Sequence, residues 1–262
     1  MKLDILLSCM HQQDASLVHA SGIVGNAVVI NQCDREDYLE ESTATGRVRM
    51  IFTCQRGLTK SRNLAIRSSD ADVCLLCDDD EKFVADYERK ILEAYRDLPQ
   101  ADVIIFKMVG RSASFPDRVM ELRFPKTMHV SSWQISFRRQ RLMDVGVQFD
   151  ELLGAGSGNG AEEELKFLLD CQKAGLKIFY VPQEIASVGQ TQSTWFAGFD
   201  EKFFYNRGAT TRYILGFFPA AAYALYYVLR KRRMYKDQIS MGKALKAIFR
   251  GIRQDPISKQ KK

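Results

Sequence analysis

Four consecutive carboxylates, Asp78-Asp79-Asp80-Glu81, follow directly on the apolar run Val73-Cys74-Leu75-Leu76-Cys77. Charges packed this closely repel one another and require a compensating cation. Hard oxygen ligands on a tight turn suit Mg²⁺ or Mn²⁺, and those ions suit the phosphates of a nucleotide. The chemistry implied is a metal–diphosphate site. The ordinary alternative is a solvated acidic loop heading the next helix, since carboxylates favour helix N-termini. A second acidic cluster, Glu162-Glu163-Glu164, stands behind the glycine-rich stretch Gly154-Ala155-Gly156-Ser157-Gly158-Asn159-Gly160-Ala161. A mobile loop feeding a carboxylate-headed helix is a second candidate site. Its alternative is simple complementation of the helix dipole.

The elements around these residues alternate. Strands are expected at Leu3–Ser8, Ala27–Ile30, Val48–Thr53, Val73–Cys77 and Asp102–Met108. Helices are expected at 15–24, at Leu58–Ser68 and at 83–98, where Pro99 stops the last. Strand–helix alternation of this kind predicts an α/β fold with a mostly parallel sheet flanked by helices. The run Val73–Cys77 suits a strand buried on both faces, and the acids sit where it leaves the sheet. Open α/β sheets bind ligands at that end of their strands. Beyond Gly110 the rhythm changes. The stretch 111–126 reads as irregular, Trp133–Phe137 as a strand, 138–145 as a short helix, 162–169 as a helix, and Leu176–Val181 as a strand ended by Pro182. Neither a GxGxxG fingerprint nor a P-loop is present.

The 262 residues are enough for a sizeable core, and 46% apolar residues fit a globular chain. The net charge of +6 is unevenly placed. From Arg230 to Lys262 there are twelve Lys/Arg and two Asp, a surplus of +10, which leaves −4 for the preceding residues. A nucleic-acid-binding body would carry its own positive patch, so nucleic acid is not an expected partner. The six cysteines form no regular framework and suit reduced thiols in a cytoplasmic compartment. Cys74 and Cys77 face opposite sides of a strand and cannot pinch a metal together. The amino end carries no long apolar signal segment and reads as a first strand. His11, His19 and His129 are read as ordinary surface or packed histidines, with His11 placed by its loop to touch a nucleotide.

Several pieces together resemble glycosyltransferase family 2, the inverting sugar transferases of the GT-A fold, and capsule and exopolysaccharide members in particular. They are the opening strand, the segment Arg56-Gly57-Leu58-Thr59-Lys60-Ser61-Arg62-Asn63, the Asp78-Asp79-Asp80 triplet, and the glycine-rich loop into Glu162-Glu163. The likeness covers residues 1–210, taken as the catalytic domain, with 211–262 as a helical, membrane-associating appendage. It implies a nucleotide-diphosphate sugar as donor, with UDP as the expected nucleotide, a saccharide or lipid-linked acceptor, and a Mn²⁺ or Mg²⁺ cofactor. The loops carrying Cys9, His11, Gln32 and Asp34 would hold the nucleoside, and Asp78 and Asp79 would lie beside it. Arg56, Lys60, Arg62 and Asn63 would complete the donor site, and Asp80 would ligate the metal. Glu163 matches the catalytic base, with Glu162 beside it to bind or orient the acceptor. Trp195 is expected to stack on a sugar, and Lys202 and Arg207 to pair with phosphate. The sequence departs from the family twice. Ser187-Val188-Gly189-Gln190-Thr191 lacks the usual metal-site histidine, and Asn31-Gln32-Cys33-Asp34 replaces a more usual acidic pair.

Beyond the catalytic segment, Tyr213–Leu229 is apolar but short for a bilayer span, is interrupted by Pro219, and is followed by Arg230-Lys231-Arg232-Arg233. Next, Met241, Ala244, Leu245, Ile248, Phe249 and Ile252 mark one helical face, with Lys243, Lys246, Arg250 and Arg253 away from it. Basic amphipathic helices of this kind lie on anionic membrane surfaces, so a peripheral place on the inner face of the cell membrane is expected. Ordinary helix packing is the alternative. Two other functions stay open: a nucleotidyltransferase acting on a sugar phosphate, and a non-catalytic membrane scaffold.

Overall fold

The computed structural model describes residues 1–110, 115–159, 162–189 and 198–260. By contact the chain falls into two compact units: Met1–Asp150 with Glu164–Thr191, and Glu151–Glu163 with Gln192–Lys262.

The first unit is built on a sheet of ten described strands: β1 (Leu3–Met10), β2 (Asn26–Gln32), β3 (Asp37–Ser42), β4 (Arg47–Thr53), β5 (Val73–Cys77), β6 (Glu81–Phe83), β7 (Val103–Met108), β8 (Met120–Leu122), β9 (Ile135–Arg138) and β10 (Ile178–Val188). Their order is β3-β4-β2-β1-β5-β9-β7-β10-β6, with β8 against β10. Strands β4, β2, β1 and β5 run parallel, as do β7 and β10. Strand β9 enters antiparallel between β5 and β7. Strands β3, β6 and β8 add antiparallel pairings. Residues of the central strands alternate between two cores. Leu3, Ile5 and Leu7 face one apolar cluster, while Leu6 faces the other. Helix α1 is Ser16–Ala20, α2 is Leu58–Ser68, α3 is Tyr87–Asp97, α4 is Arg139–Asp144 and α5 is Glu163–Lys173.

Three expectations change here. Helix α1 is five residues long, and Gly22 at φ 73° follows its end. Helix α3 starts at Tyr87, because residues 81–83 pair with β10 as a strand. Strand β10 does not stop at Pro182. Register shifts between Val181 and Ala186 absorb a residue that cannot donate to the ladder, and pairing resumes beyond it.

The second unit contains α6 (Glu201–Leu215), α7 (Phe217–Arg230), α8 (Arg232–Tyr235), α9 (Met241–Gln254) and α10 (Pro256–Gln260). Helix α6 runs through residue 210, and residues 151–163 cluster with these helices. The apolar stretch breaks at Gly216, at φ 82°, not at Pro219. Pro219 sits in the first turn of α7, where its missing N–H costs no intrahelical bond. The apolar face of α9 is not free. Ala244, Ala247, Ile248, Gly251 and Ile252 are buried in a core shared with Phe204, Tyr227 and Tyr235. Helices α6 and α9 touch backbone to backbone: a Cβ built on Gly208 would lie 2.0 Å from the Ile248 carbonyl oxygen. Among the described residues, no helix is long and apolar enough to cross a membrane.

Candidate functional site

In the first unit, loops at the carboxyl ends of the parallel strands are tied together by side chains. Asn31 on β2 holds the loop after β1: its amide nitrogen donates to the Gln12 carbonyl at 2.7 Å, and its oxygen accepts the Gln12 N–H at 3.0 Å. His11 sits in that loop with a left-handed backbone, φ 54°, and is exposed. Cys9 is buried, and burial pushes its thiol up to about 12, with the nearby Asp79 charge adding to the shift. It is therefore a neutral packing group. The Gln32 side-chain oxygen accepts the Gly57 N–H at 2.7 Å, the amide that precedes α2. Arg56 donates to the Cys33 carbonyl at 2.7 Å and pairs closely with Asp34. Lys60 is half-buried on α2.

Helix α2 explains the next layer. Its inward face carries Arg62 and Asn63, both buried. Arg62 is among the largest fully buried side chains of the protein, at 1% exposure. A guanidinium so placed needs an acid, and it donates to Asp78 Oδ1 at 2.9 Å. Ser132 donates to the other oxygen of Asp78 at 3.2 Å, and the Asp78 N–H donates to Glu81 at 2.7 Å. Asp78 is thus fixed through both carboxylate oxygens and its own amide. Ser132 carries no signal in the sequence. It lies 54 residues away and arrives beside Asp78 just ahead of the antiparallel β9.

Asn63, expected on the donor, is spent on the backbone instead. Its amide group bonds both backbone groups of Phe149, donating to the carbonyl at 2.9 Å and accepting the N–H at 2.8 Å. That correction carries an expected result. Asn63→Ala strands two buried backbone groups and lowers stability by about 2–4 kcal/mol. Urea unfolding checks it, and an unchanged midpoint contradicts it.

The acidic turn crowds four carboxyl groups together. Asp79 is exposed, yet partial desolvation raises its pKa first, and the charges of Asp78 and Asp80 raise it further. Burial likewise raises Glu81 well above the ordinary carboxylate range, and its buried Oε2 has no hydrogen-bond partner among the described residues. The Asp80 carbonyl accepts the Gly189 N–H at 2.8 Å, which pins the turn to the end of β10. The donor set, crowded hard oxygens with an orphaned buried acceptor, fits a divalent cation. Among the described residues, no group of three or more His, Cys, Asp or Glu is arranged to hold a metal unaided. Phosphate oxygens and water would have to complete the shell.

In the second unit, Gly154, Gly156 and Gly158 all have positive φ, and the turn closes on itself. The Asn159 side chain donates to the Leu152 carbonyl at 2.9 Å, and Ser157 to the Gly154 carbonyl at 2.7 Å. Gly160 and Ala161 lie outside the described residues, as does Trp195. Glu162 follows with a left-handed backbone at φ 69°, which costs a non-glycine residue energy unless its surroundings hold it. Its carboxylate pairs with Arg207 at 2.9 Å. Arg207 also donates to the Tyr223 hydroxyl at 2.7 Å, and its guanidinium lies 4.4 Å from the Tyr227 ring centroid. Arg207 and Glu162, expected on phosphate and acceptor respectively, are paired with each other instead. Burial raises the Tyr223 phenol to about 12, so it stays protonated beside them. Glu163 is the first residue of α5 and is 8% exposed. Lys202 is exposed on α6, in an open groove of about 500 Å³ shared with Glu201, Tyr205, Arg250 and Gln254.

No family model matches the sequence. No curated protein matches it either. Solved structures do. Residues 1–349 of S. aureus TarS superpose with a TM-score of 0.62 at 14% identity, covering 96% of this chain and 81% of that one. The same TarS fragment in complex with UDP gives a TM-score of 0.60 at 15% identity, covering 96% and 81%. In complex with UDP-GlcNAc it gives 0.59 at 15% identity, covering 91% and 74%. At such identity the likeness is one of fold, and the fold is of the GT-A type.

Proposed function

We propose that the protein is an inverting glycosyltransferase of the family 2 kind, moving a sugar from a UDP-sugar to a hydroxyl of a saccharide or lipid-linked acceptor. The observation that carries this reading is the Asp78–Asp80 turn at the carboxyl end of β5, anchored on buried Arg62, within a GT-A type fold. The TarS complexes with UDP and UDP-GlcNAc support the choice of donor.

The roles follow from the chemistry. Asp78, held by Arg62, Ser132 and Glu81, is a preset acceptor for hydroxyls or N–H groups of the nucleoside. Asp80 would hold the divalent cation, which when bound offsets the charge of the departing diphosphate. Glu163 takes the proton of the acceptor hydroxyl as that oxygen attacks the anomeric carbon. One base opposite the leaving group gives displacement with inversion, and the nucleoside diphosphate leaves with the bonding electrons. A hydrolase would need a second carboxyl group to protonate the leaving oxygen.

The direct test is incubation with a panel of nucleotide sugars and Mn²⁺, following nucleoside diphosphate release with saccharide acceptors. Release that depends on acceptor supports the proposal. Pyrophosphate formed from a nucleoside triphosphate and a sugar phosphate would point to nucleotidyl transfer instead. No turnover of any donor would sink the enzyme reading. Within the proposal, Asp80→Asn is expected to lower turnover by about 10²–10³-fold. It should also abolish the dependence of UDP affinity on Mn²⁺, as measured by calorimetry. An unchanged metal titration would remove Asp80 from this role.

A further inference from the structure

Helix α7 has two apolar faces, and only one is used. Ala220, Ala224, Tyr227 and Val228 are buried in the core of the second unit. On the outer side Phe218, Ala222, Leu225 and Leu229 follow the i, i+4, i+7, i+11 spacing of a single stripe. Phe218 is 83% exposed and Leu229 59%, with Tyr226 beside them at 54%. Isolated exposed apolar residues are normal on a protein surface, but a continuous stripe signals a partner. The stripe ends in Arg230, Lys231, Arg232 and Arg233, all exposed. None of the four has a carboxylate within ion-pairing distance among the described residues. Met234, also exposed, follows them.

We propose that the outer face of α7, with the Arg230–Arg233 run at its end, docks on an anionic lipid bilayer. The stripe supplies the apolar insertion and the cations supply the attraction to anionic headgroups. Tyr226 fits the boundary between the two. Charge argues for lipid over a second copy of this chain. Residues 192–262 carry fifteen Lys/Arg against four Asp/Glu, so two such surfaces repel. The helix lies on the surface and does not cross it. Its 14 residues reach about 21 Å, short of the ~30 Å hydrocarbon thickness. This docking face is α7, not the amphipathic α9, whose apolar side is already covered by α6. The inference stands apart from the catalytic proposal and does not depend on it.

The test uses the full chain and flotation with two sets of vesicles, phosphatidylcholine alone and phosphatidylcholine with phosphatidylglycerol. The protein is expected to float with the anionic vesicles, less so as salt rises, and not with the neutral ones. Phe218→Ser with Leu229→Ser, and separately Arg232→Gln with Arg233→Gln, should each lower partitioning by about tenfold or more. Lys243→Gln with Lys246→Gln on α9 should change it far less. All these side chains are exposed, so melting temperatures should match the parent protein, and the arginine pair serves if the apolar pair does not fold. Absence of binding to anionic vesicles overturns the proposal. So does binding at the parent level by both α7 variants, or an α9 variant that loses as much as they do. A dimer in sedimentation that Phe218→Ser with Leu229→Ser converts to monomer would assign the face to a second copy instead.

Discussion

If the protein transfers sugar as proposed, Glu163→Gln is expected to reduce that transfer to a residual level and to leave UDP binding near its original strength. The amide matches the carboxylate in shape but cannot accept the acceptor's proton at neutral pH. General-base assistance contributes about 10²–10⁴-fold, and that factor is what the variant loses. Loss of the favourable charge at the start of α5, at a buried position, is expected to cost up to about 2 kcal/mol, which thermal unfolding of the variant reads directly. Two measurements separate the cases. Nucleoside diphosphate release with acceptor present reports the chemistry, and calorimetry with UDP reports the donor site. Transfer at the parent rate would take the role of base away from Glu163. Loss of UDP binding together with transfer would mean that Glu163 serves the donor, or that the fold has failed.

Gly251→Ala should be strongly destabilising to the second unit, as Gly208→Ala on the facing helix should be. A Cβ at Gly251 would sit 2.1 Å from the Tyr205 carbonyl oxygen and 2.8 Å from the Ala209 nitrogen. Both are backbone atoms of a helix, so no rotamer change relieves the contact. The axes of α6 and α9 must separate, and the contacts of Ala244, Ala247 and Ile248 loosen with them. Overpacking of this kind costs about 3 kcal/mol. Gly242→Ala on the same helix is the control. A Cβ at that position meets nothing within 4 Å, so the change is neutral or stabilises by up to about 1 kcal/mol through helix propensity. Thermal unfolding of the two variants side by side decides the matter, and equal midpoints would show that the helices do not pack this closely in solution.

The parts of the fold legible in the sequence are those set by local pattern. Helix α2 and strand β5 have the boundaries that their spacing and flanking residues predict. The strands missed are made by their partners. Strand β3, Asp37-Tyr38-Leu39-Glu40-Glu41-Ser42, is polar and largely exposed, and becomes a strand through antiparallel pairing with β4. Strand β6 is three residues long and exists because β10 runs past its proline to meet it. The candidate site divides in the same way. The acidic run was visible as a run. That Asp78 is gripped by a buried arginine and by a serine 54 residues away was not, because both reach it through the tertiary fold. The tyrosines of the apolar stretch divide by face. Tyr226 faces outward as a membrane-interface residue would, but Tyr223 and Tyr227 turn inward and enclose Arg207.

That enclosure reaches further than its size suggests. Glu162 keeps its unfavourable backbone beside an arginine whose hydroxyl partner, Tyr223, and nearer ring, Tyr227, come from α7. The carboxyl-terminal helices are therefore not a handle that can be trimmed for convenience. A shortened version ending near residue 210 would keep Arg207 but strip away Tyr223 and Tyr227. The peptide leading into Glu163 would then lose its anchor, and minimal versions of this protein must retain α7.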